Sequence, residues 1–131
     1  MPKKQIFTIF PSDYSLPYSP VVKVGDHYHF SGIIPDVLDG KMADAESIEK
    51  QIGQVFNKID LHLVACGLKR DDIYSATVMF SGSMDHFALF GRIYSEFFIG
   101  IAIKPRRKAF AVAALPFGAA IEIEIDAVKQ E

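Results

Sequence analysis

The sequence predicts an α+β fold in which two helices pack on one face of a single, mostly antiparallel sheet. Two observations support this fold class. Several short segments have the composition of β-strands, and two longer segments repeat apolar residues at helical spacing. Their order along the chain is strand, hairpin, helix, strand, helix, hairpin. The chain has 131 residues, of which 50% are hydrophobic and 23% charged, so we expect one domain over residues 1–131 with one hydrophobic core.

The N-terminal part of the sequence predicts a strand followed by a hairpin. Gln5–Phe10 is β-prone, and Val21–Val24 is separated from His27–Phe30 by Gly-Asp, which is a tight-turn pair. Ser31 and Gly32 follow the hairpin directly. A glycine at the end of a strand lets the backbone approach a ligand closely, so these two residues are candidates for substrate binding.

The loop between the first strand and the hairpin contains Tyr14 and Tyr18 among prolines and serines. A tyrosine held in a rigid loop offers a ring wall and one hydroxyl, which is what a binding site requires. The alternative is that both rings only cover the edge of the core.

The first helix is predicted from apolar residues that recur at spacings of three and four between Ile48 and Leu63. Asp44 is the expected N-cap, and Gly67 follows the helix end. A strand over Ile73–Phe80 comes next.

The second helix is expected to begin with Ser83 as its cap. It carries an aromatic stripe that we interpret as core, formed by Met84, Phe87, Phe90, Tyr94 and Phe97. Gly91 lies in the middle of this helix. Glycine costs about 1 kcal/mol relative to alanine there, so a packing or access reason is expected.

The last third of the chain predicts the candidate site. Two alternating runs flank a Pro-Phe-Gly turn, which indicates a β-hairpin. Arg107 shares a strand face with a row of alanines, and Glu122 shares a face with Glu124 and Asp126. Together the two rows suggest a pocket with a fixed cation and a nearby acid. Alternatively, the acidic row is simply a strand face that meets water.

Composition argues against several other roles. A formal net charge of −2 gives no long-range attraction for phosphate backbones, so we expect no nucleic-acid partner. The sequence has no apolar run of membrane-spanning length and no signal-peptide core, so we expect no membrane association and a cytoplasmic location. Cys66, the one cysteine, is compatible with a reducing cytosol and is interpreted as a buried structural thiol.

Two further expectations concern metals and assembly. His27 and His29 have a spacing that can bind metal, but without a third ligand of clear spacing we expect no metal and interpret both as solvent-facing or hydrogen-bonded. Two helices cannot cover both faces of the sheet, and this argues for a homo-oligomer.

Two segments carry a family resemblance. PYSPVVKVGDHYHFSGIIP is similar to an N-terminal hairpin motif, and PRRKAFAVAALPFGAAIEIEIDAV is similar to a C-terminal signature. The MDHF and YSEFF segments lie at the expected places between them. Over about residues 14–129 the chain therefore resembles the Rid family, the YjgF-like or endoribonuclease L-PSP-like reactive-intermediate deaminases.

The resemblance implies a chorismate-mutase-like fold assembled as a homotrimer with sites in the clefts between subunits. It also implies a hydrolase that converts 2-imino acids and enamines, released by pyridoxal-phosphate enzymes, into 2-oxo acids and ammonia without a cofactor. The family's essential arginine corresponds to Arg107, its water-positioning glutamate to Glu122 and its loop tyrosine to Tyr18. Its strand-end Ser-Gly corresponds to Ser31 and Gly32.

Three positions depart from the family pattern. Leu16 replaces a glycine, Ile33 replaces a glutamine, and Gly91 replaces an asparagine that lies near the ligand in the family. Arg106 precedes Arg107, and a shift of one residue in the match to the family motif would assign the essential arginine to Arg106 instead.

The alternative function is a non-catalytic trimer that binds small 2-oxo acids or acts as a chaperone-like or regulatory partner. A ribonuclease is disfavoured by the net charge and by the lack of stacking aromatics beside the basic cluster.

Overall fold

The computed structural model of the chain describes residues 3–7 and 15–130. These residues contain eight strands, namely β1 (Lys4–Phe7), β2 (Val21–Val24), β3 (His27–Phe30), β4 (Val37–Leu38), β5 (Lys41–Met42), β6 (Ile73–Ser81), β7 (Arg106–Val112) and β8 (Ile121–Val128). They also contain two α-helices, α1 (Ile48–Cys66) and α2 (Phe87–Phe97).

The described strands form one six-stranded sheet with the order β1-β2-β3-β8-β6-β7, and β4 and β5 form a separate short ladder. The pair β6 and β7 is parallel, and the other neighbours are antiparallel. The predicted α+β class with a mostly antiparallel sheet is therefore confirmed. The predicted hairpin of β2 and β3 is confirmed residue by residue. The first strand is described only as far as Phe7, so the rest of that prediction, and Tyr14, lie outside the described residues.

The predicted C-terminal hairpin is wrong. β7 and β8 are separated by β6, which pairs in parallel with β7 on one side and antiparallel with β8 on the other. The eight residues between β7 and β8 are enough to cross one strand, and they include a 3₁₀ turn over Pro116–Gly118. This order determines which faces the candidate residues occupy.

The first helix ends as predicted but begins differently. Gly67 adopts a left-handed conformation (φ 71°) after the last helical residue, and its N–H donates to the Val64 carbonyl at 3.1 Å. The N-cap is Ser47, whose hydroxyl accepts from the Lys50 N–H at 3.2 Å, so the prediction of Asp44 is wrong. The Asp44 carboxylate instead accepts a hydrogen bond from the Gln54 side chain.

The predicted cap of the second helix is also wrong. α2 begins at Phe87, and Ser83 lies in the turn before it, where its hydroxyl accepts from the Asp85 N–H at 3.3 Å. A serine that bonds two residues ahead stabilises a turn instead of a helix start.

The core lies between the helices and one face of the sheet. Helix-facing strand residues such as Val78, Phe80 and Ile123 pack with the buried residues of α1 and α2. Cys66 is buried at the end of α1, and burial raises the pKa of its thiol to about 11, which confirms a structural thiol.

No described helix covers the opposite face of the sheet, which we call the open face. Because ladder partners share a face, its residues include Val22, Val24, His27, His29, Thr77, Met79, Arg106, Lys108, Phe110, Glu122, Glu124 and Asp126. His29 Nδ1 lies 2.8 Å from Asp126 Oδ1, and His27 Nδ1 lies 3.2 Å from the Tyr74 hydroxyl, so both histidines are hydrogen-bonded as predicted. Within the described ranges, neither helix has the length and apolar character needed to cross a membrane.

Candidate active site

The predicted site residues form two groups in one chain. The first, the Gly32 half-site, consists of Tyr18, Ser31, Gly32, Ile33 and Glu122. The second, the Arg107 half-site, consists of Arg107 and Gly91 together with Phe87, Phe90 and Tyr94 of α2.

The backbone around Gly32 is fixed on both sides. The Ser31 N–H donates to the Pro20 carbonyl at 2.9 Å, and the Ser31 hydroxyl donates to the Ser19 carbonyl at 2.6 Å. On the other side, Ile33 exchanges two backbone hydrogen bonds with Ile123 of β8, at 2.7 and 3.0 Å. Ser31 therefore joins the tyrosine-bearing loop to the strand end.

The Glu122 carboxyl group packs directly on Gly32. A β-carbon added at Gly32 would lie 2.7 Å from Glu122 Oε1 and 2.8 Å from its Cδ, so a side chain there would displace the carboxyl group. Burial, and secondly the negative charge of Glu124, raise the pKa of Glu122 above its ordinary value. A carboxylate with a raised pKa is a stronger proton acceptor, which suits a general base.

A pocket of about 380 Å³ opens beside this half-site. Tyr18, Ser31, Gly32 and Ile33 line it, together with side chains of α1. The Tyr18 side chain is 56% exposed, so its ring and hydroxyl are available to a ligand. Neither Glu122 nor the Arg107 half-site lines this pocket.

Two positions that depart from the family pattern differ in their surroundings. Ile33 is only 4% exposed and belongs to the hydrophobic core, so its apolar character is explained by packing. Leu16 lines the pocket and is 39% exposed, so it adds apolar surface at the mouth.

Arg107 lies over aromatic rings on the other side of the sheet. Its Cζ atom is 4.8 Å from the ring centroid of Tyr94, 5.4 Å from that of Phe87 and 5.8 Å from that of Phe90. Within residues 3–7 and 15–130, its guanidinium group makes no hydrogen bond or ion pair. Cation–π contacts thus hold the group in place while its N–H donors remain available for an anion.

Small residues leave space beside this guanidinium group. Arg107, Ala109 and Ala111 share the helix-facing side of β7, because their ladder partners on β6 are buried. Gly91 lies on α2 between Phe87 and Tyr94, and apart from its chain neighbours and the backbone of its own helix no atom of the described residues is within 4 Å of the position that its β-carbon would take. The helix therefore has no side chain at this position, near the rings that contact Arg107.

Arg106 does not share this environment. Its ladder partner Ser75 also pairs with Asp126, so Arg106 faces the open side of the sheet while Arg107 faces α2. In this structure the aromatic rings therefore surround Arg107 and leave Arg106 outside the half-site.

The two rows that suggest a pocket do not face each other within one chain. Arg107 shares a face with Ala76 and Ile125, whereas Glu122 shares the opposite face with Met79 and Phe110. In addition, β6 lies between their strands, which is a separation of about 10 Å across the sheet. One chain alone does not bring the guanidinium and carboxyl groups together.

The aromatic pattern of the second helix predicts core residues but does not predict that they contact Arg107. Phe87, Phe90 and Tyr94 have both positions, since they also contact the core residues Phe56 and Phe80. Gly91 is a signal in the sequence for this arrangement. It lies four residues after Phe87 and three residues before Tyr94, and a glycine on an aromatic helix face leaves a gap.

Comparisons with known proteins agree with this fold and motif pattern. The sequence profile of the family described as endoribonuclease L-PSP matches residues 12–129. A "RutC family protein" of Aquifex aeolicus is 35% identical over 86% of this chain and 89% of its own. The mouse "2-iminobutanoate/2-iminopropanoate deaminase" is 32% identical over 86% of this chain and 82% of its own. The crystal structure of E. coli TdcF with bound serine matches with a TM-score of 0.82 and 29% identity, over 97% of this chain and 100% of that chain.

Proposed function

This chain belongs to the endoribonuclease L-PSP family, which includes the Rid and RutC proteins, and we propose that it hydrolyses reactive 2-imino acids and their enamine tautomers to 2-oxo acids and ammonia without a cofactor. The observation that carries the proposal is the guanidinium group of Arg107, which lies over the rings of α2 and has no hydrogen bond or ion pair to the described residues. The deaminase name of the mouse relative supports the same reaction.

The proposed role of Arg107 is to bind the substrate carboxylate. A planar guanidinium group can donate two parallel hydrogen bonds to a carboxylate, which an ammonium group cannot do with the same geometry. Because the rings already restrict the guanidinium group, less conformational entropy is lost on binding.

The proposed role of Glu122 is proton transfer at the imine carbon. Water adds to the carbon of the protonated imine and transfers a proton to the carboxylate, which gives a neutral tetrahedral carbinolamine. Glu122 returns that proton to nitrogen, the C–N bond breaks so that ammonia leaves, and the hydroxyl proton passes to the Glu122 carboxylate as the C=O bond forms. Tyr18 is proposed to close the site between copies and hydrogen-bond the substrate, and the backbone at Ser31 and Gly32 is proposed to border that site.

The proposed assembly is a homotrimer whose sites combine half-sites from neighbouring copies. It is supported by the placement of Glu122 on the open face and of Arg107 on β7, the last strand on one side of the described sheet. Under this proposal the Arg107 half-site of one copy meets the Gly32 half-site of the next, in the cytoplasm, with small 2-imino or 2-oxo acids as the ligands.

A second candidate is a non-catalytic trimer of the same fold that binds small 2-oxo acids or acts as a chaperone-like or regulatory partner. The departures at Leu16 and Gly91 favour it, because both change the surroundings of the proposed ligand. The bound serine in the E. coli relative shows that a protein of this fold can hold a small amino acid.

Ammonia release from enzymatically generated 2-iminopropanoate and 2-iminobutanoate distinguishes these functions. We expect acceleration over the spontaneous rate by the wild type, and a loss of about 100-fold or more in kcat/KM for Arg107→Ala, because two charge-assisted hydrogen bonds are removed. Arg106→Ala is the matched control and should retain activity. A folded wild type that gives no acceleration but binds 2-oxobutanoate would support the second candidate.

A further inference from the structure

The hydroxyl group of Tyr94 stands out among the buried polar groups. The residue is 8% exposed, and its Oη is the one fully buried side-chain polar atom without a hydrogen-bond partner in residues 3–7 and 15–130. Buried hydroxyl groups are nearly always paired, since an unpaired one loses its bonds to water without replacement. This exception calls for an explanation.

Packing explains the ring of Tyr94 but not the hydroxyl. The ring contacts Phe98 at a centroid distance of 4.8 Å, Phe90 at 5.4 Å and Phe56 at 6.2 Å. A phenylalanine would make the same contacts without burying a polar atom. The hydroxyl group therefore lowers the stability of the fold, because it makes no compensating hydrogen bond in the described residues.

The position of Tyr94 beside Arg107 indicates a use for the hydroxyl group. Among the three rings that surround the guanidinium carbon, the Tyr94 ring is the nearest, at 4.8 Å. Burial raises the pKa of Tyr94, and the positive charge of Arg107 opposes that rise only partly. Tyr94 consequently keeps its proton and can act as a hydrogen-bond donor next to the guanidinium group.

A carboxylate at Arg107 would leave acceptor capacity unused. Its two oxygens offer about four lone-pair positions, and a bidentate arginine occupies two of them. Tyr94 Oη is buried, so the carboxylate would reach it after a small movement of the side chains beside Arg107, which breaks no hydrogen bond or ion pair of the guanidinium group within the described residues.

We propose that Tyr94 Oη is a second donor for the carboxylate that Arg107 binds, so that Tyr94 is a substrate-binding residue as well as a core residue. The identity of the ligand as a 2-imino or 2-oxo acid rests on the proposed function. The pairing of the two donors rests on the geometry of α2 and β7.

Tyr94→Phe tests this proposal, because it removes the oxygen alone. We expect the Kd for 2-oxobutanoate, measured by titration calorimetry, to rise about tenfold, the usual effect of losing one hydrogen bond to a charged group. The melting temperature should stay equal or rise, since an unpaired polar atom is removed. Tyr74→Phe is the control: its hydroxyl pairs with His27 on the open face, and its loss should leave the Kd unchanged.

A near-ultraviolet difference spectrum provides a second readout on the wild type. Addition of 2-oxobutanoate should perturb tyrosine absorption, and the perturbation should be smaller in Tyr94→Phe, which leaves only the contribution proposed for Tyr18. An unchanged Kd and an unchanged difference spectrum in Tyr94→Phe would overturn the proposal.

Failure of the proposed function would look different. A wild type that binds 2-oxobutanoate without hydrolysing imino acids would contradict the proposed deaminase activity. The Kd values of the wild type and Tyr94→Phe could then still be compared. A wild type that neither binds 2-oxobutanoate nor accelerates imino-acid hydrolysis would overturn both proposals.

Discussion

The carboxyl group of Glu122 occupies the space that a side chain at Gly32 would fill, with Oε1 2.7 Å from the position of the missing β-carbon. The two residues are ninety positions apart in the chain. A glycine at the end of β3 therefore sets the position of the proposed proton acceptor on β8.

Gly32→Ala should reduce activity far more than stability. The added methyl group forces the end of a flexible carboxyl side chain aside, which costs about 1 kcal/mol of unfolding free energy or less, while a displaced base should lower kcat about tenfold or more. Gly53→Ala is the control, since it lies within α1 and its β-carbon would meet no described atom within 4 Å beyond its chain neighbours and the backbone of its own helix. Equal kcat values for Gly32→Ala and the wild type would contradict this role for Gly32.

The raised pKa of Glu122 predicts the pH dependence of activity. If Glu122 acts as the base, kcat should rise with pH through a value above that of an ordinary carboxyl group. Glu124→Gln removes the second cause of the shift, so the rise should move to lower pH. A pH profile of kcat that is identical in wild type and Glu124→Gln would argue against Glu122 as the group whose titration controls kcat.

The same shift predicts how Glu122 affects stability. Because the folded chain holds this proton more tightly than the unfolded chain, stability is lost as pH rises from the ordinary carboxyl pKa through the raised one. Glu122→Gln should therefore raise the melting temperature at neutral pH and change it less at acidic pH, below the ordinary value. Thermal melts at both pH values check this, and a lower neutral melting temperature would contradict it.

Gly91 should influence which substrates fit beside Arg107. Gly91→Asn adds a side chain where the described structure has open space, on the helix that carries Phe87 and Tyr94, whose rings lie beside Arg107. We expect kcat/KM for a bulky substrate, 2-imino-4-methylpentanoate, to fall several-fold relative to 2-iminopropanoate. The variant should also gain a few tenths of a kcal/mol, because asparagine has a slightly higher helix propensity than glycine. An unchanged ratio of the two kcat/KM values would show that Gly91 does not limit the site.

Phe117 is a candidate for a stabilising substitution. It adopts a left-handed conformation (φ 57°) in the turn before β8, which a bulky residue rarely does, and its side chain is 56% exposed. Phe117→Gly should therefore raise the free energy of unfolding by about 1 kcal/mol, as measured by denaturant titration. Gly118→Ala, at φ 73°, should lower it. If Phe117→Gly is markedly destabilised, the Phe117 ring makes contacts that outweigh the strain, for example with another copy of the chain.

Local signals were sufficient for much of the fold. The Gly-Asp turn between Val24 and His27 specified the β2–β3 hairpin, and Gly67 specified the end of α1. The error at β7 and β8 has a physical cause: an alternating run has the same pattern whether its partner is the next strand or an earlier one. The parallel pairing with β6 is set by tertiary packing, which the run itself does not encode.

The sequence allowed candidate site residues to be named, but not their arrangement in space. The resemblance indicated Arg107, Glu122 and Gly32 because each lies in a motif. That Glu122 packs on Gly32, and that Arg107 faces the other side of the sheet, depends on strand order and register. The sequence does not show that the Tyr94 hydroxyl has no hydrogen-bond partner in the described residues. A tyrosine in an aromatic stripe gives the same sequence pattern with or without such a partner.

The most direct test of the central claim mixes two inactive variants. If Arg107 of one copy and Glu122 of another form each site, co-expressed Arg107→Ala and Glu122→Gln chains will assemble some sites with both residues intact. For random mixing of equal amounts, about a quarter of the sites should be complete, so 2-iminobutanoate hydrolysis should return to about a quarter of the wild-type rate. If the mixed oligomers remain as inactive as each variant alone, Arg107 and Glu122 do not meet between copies, and the proposed site is wrong.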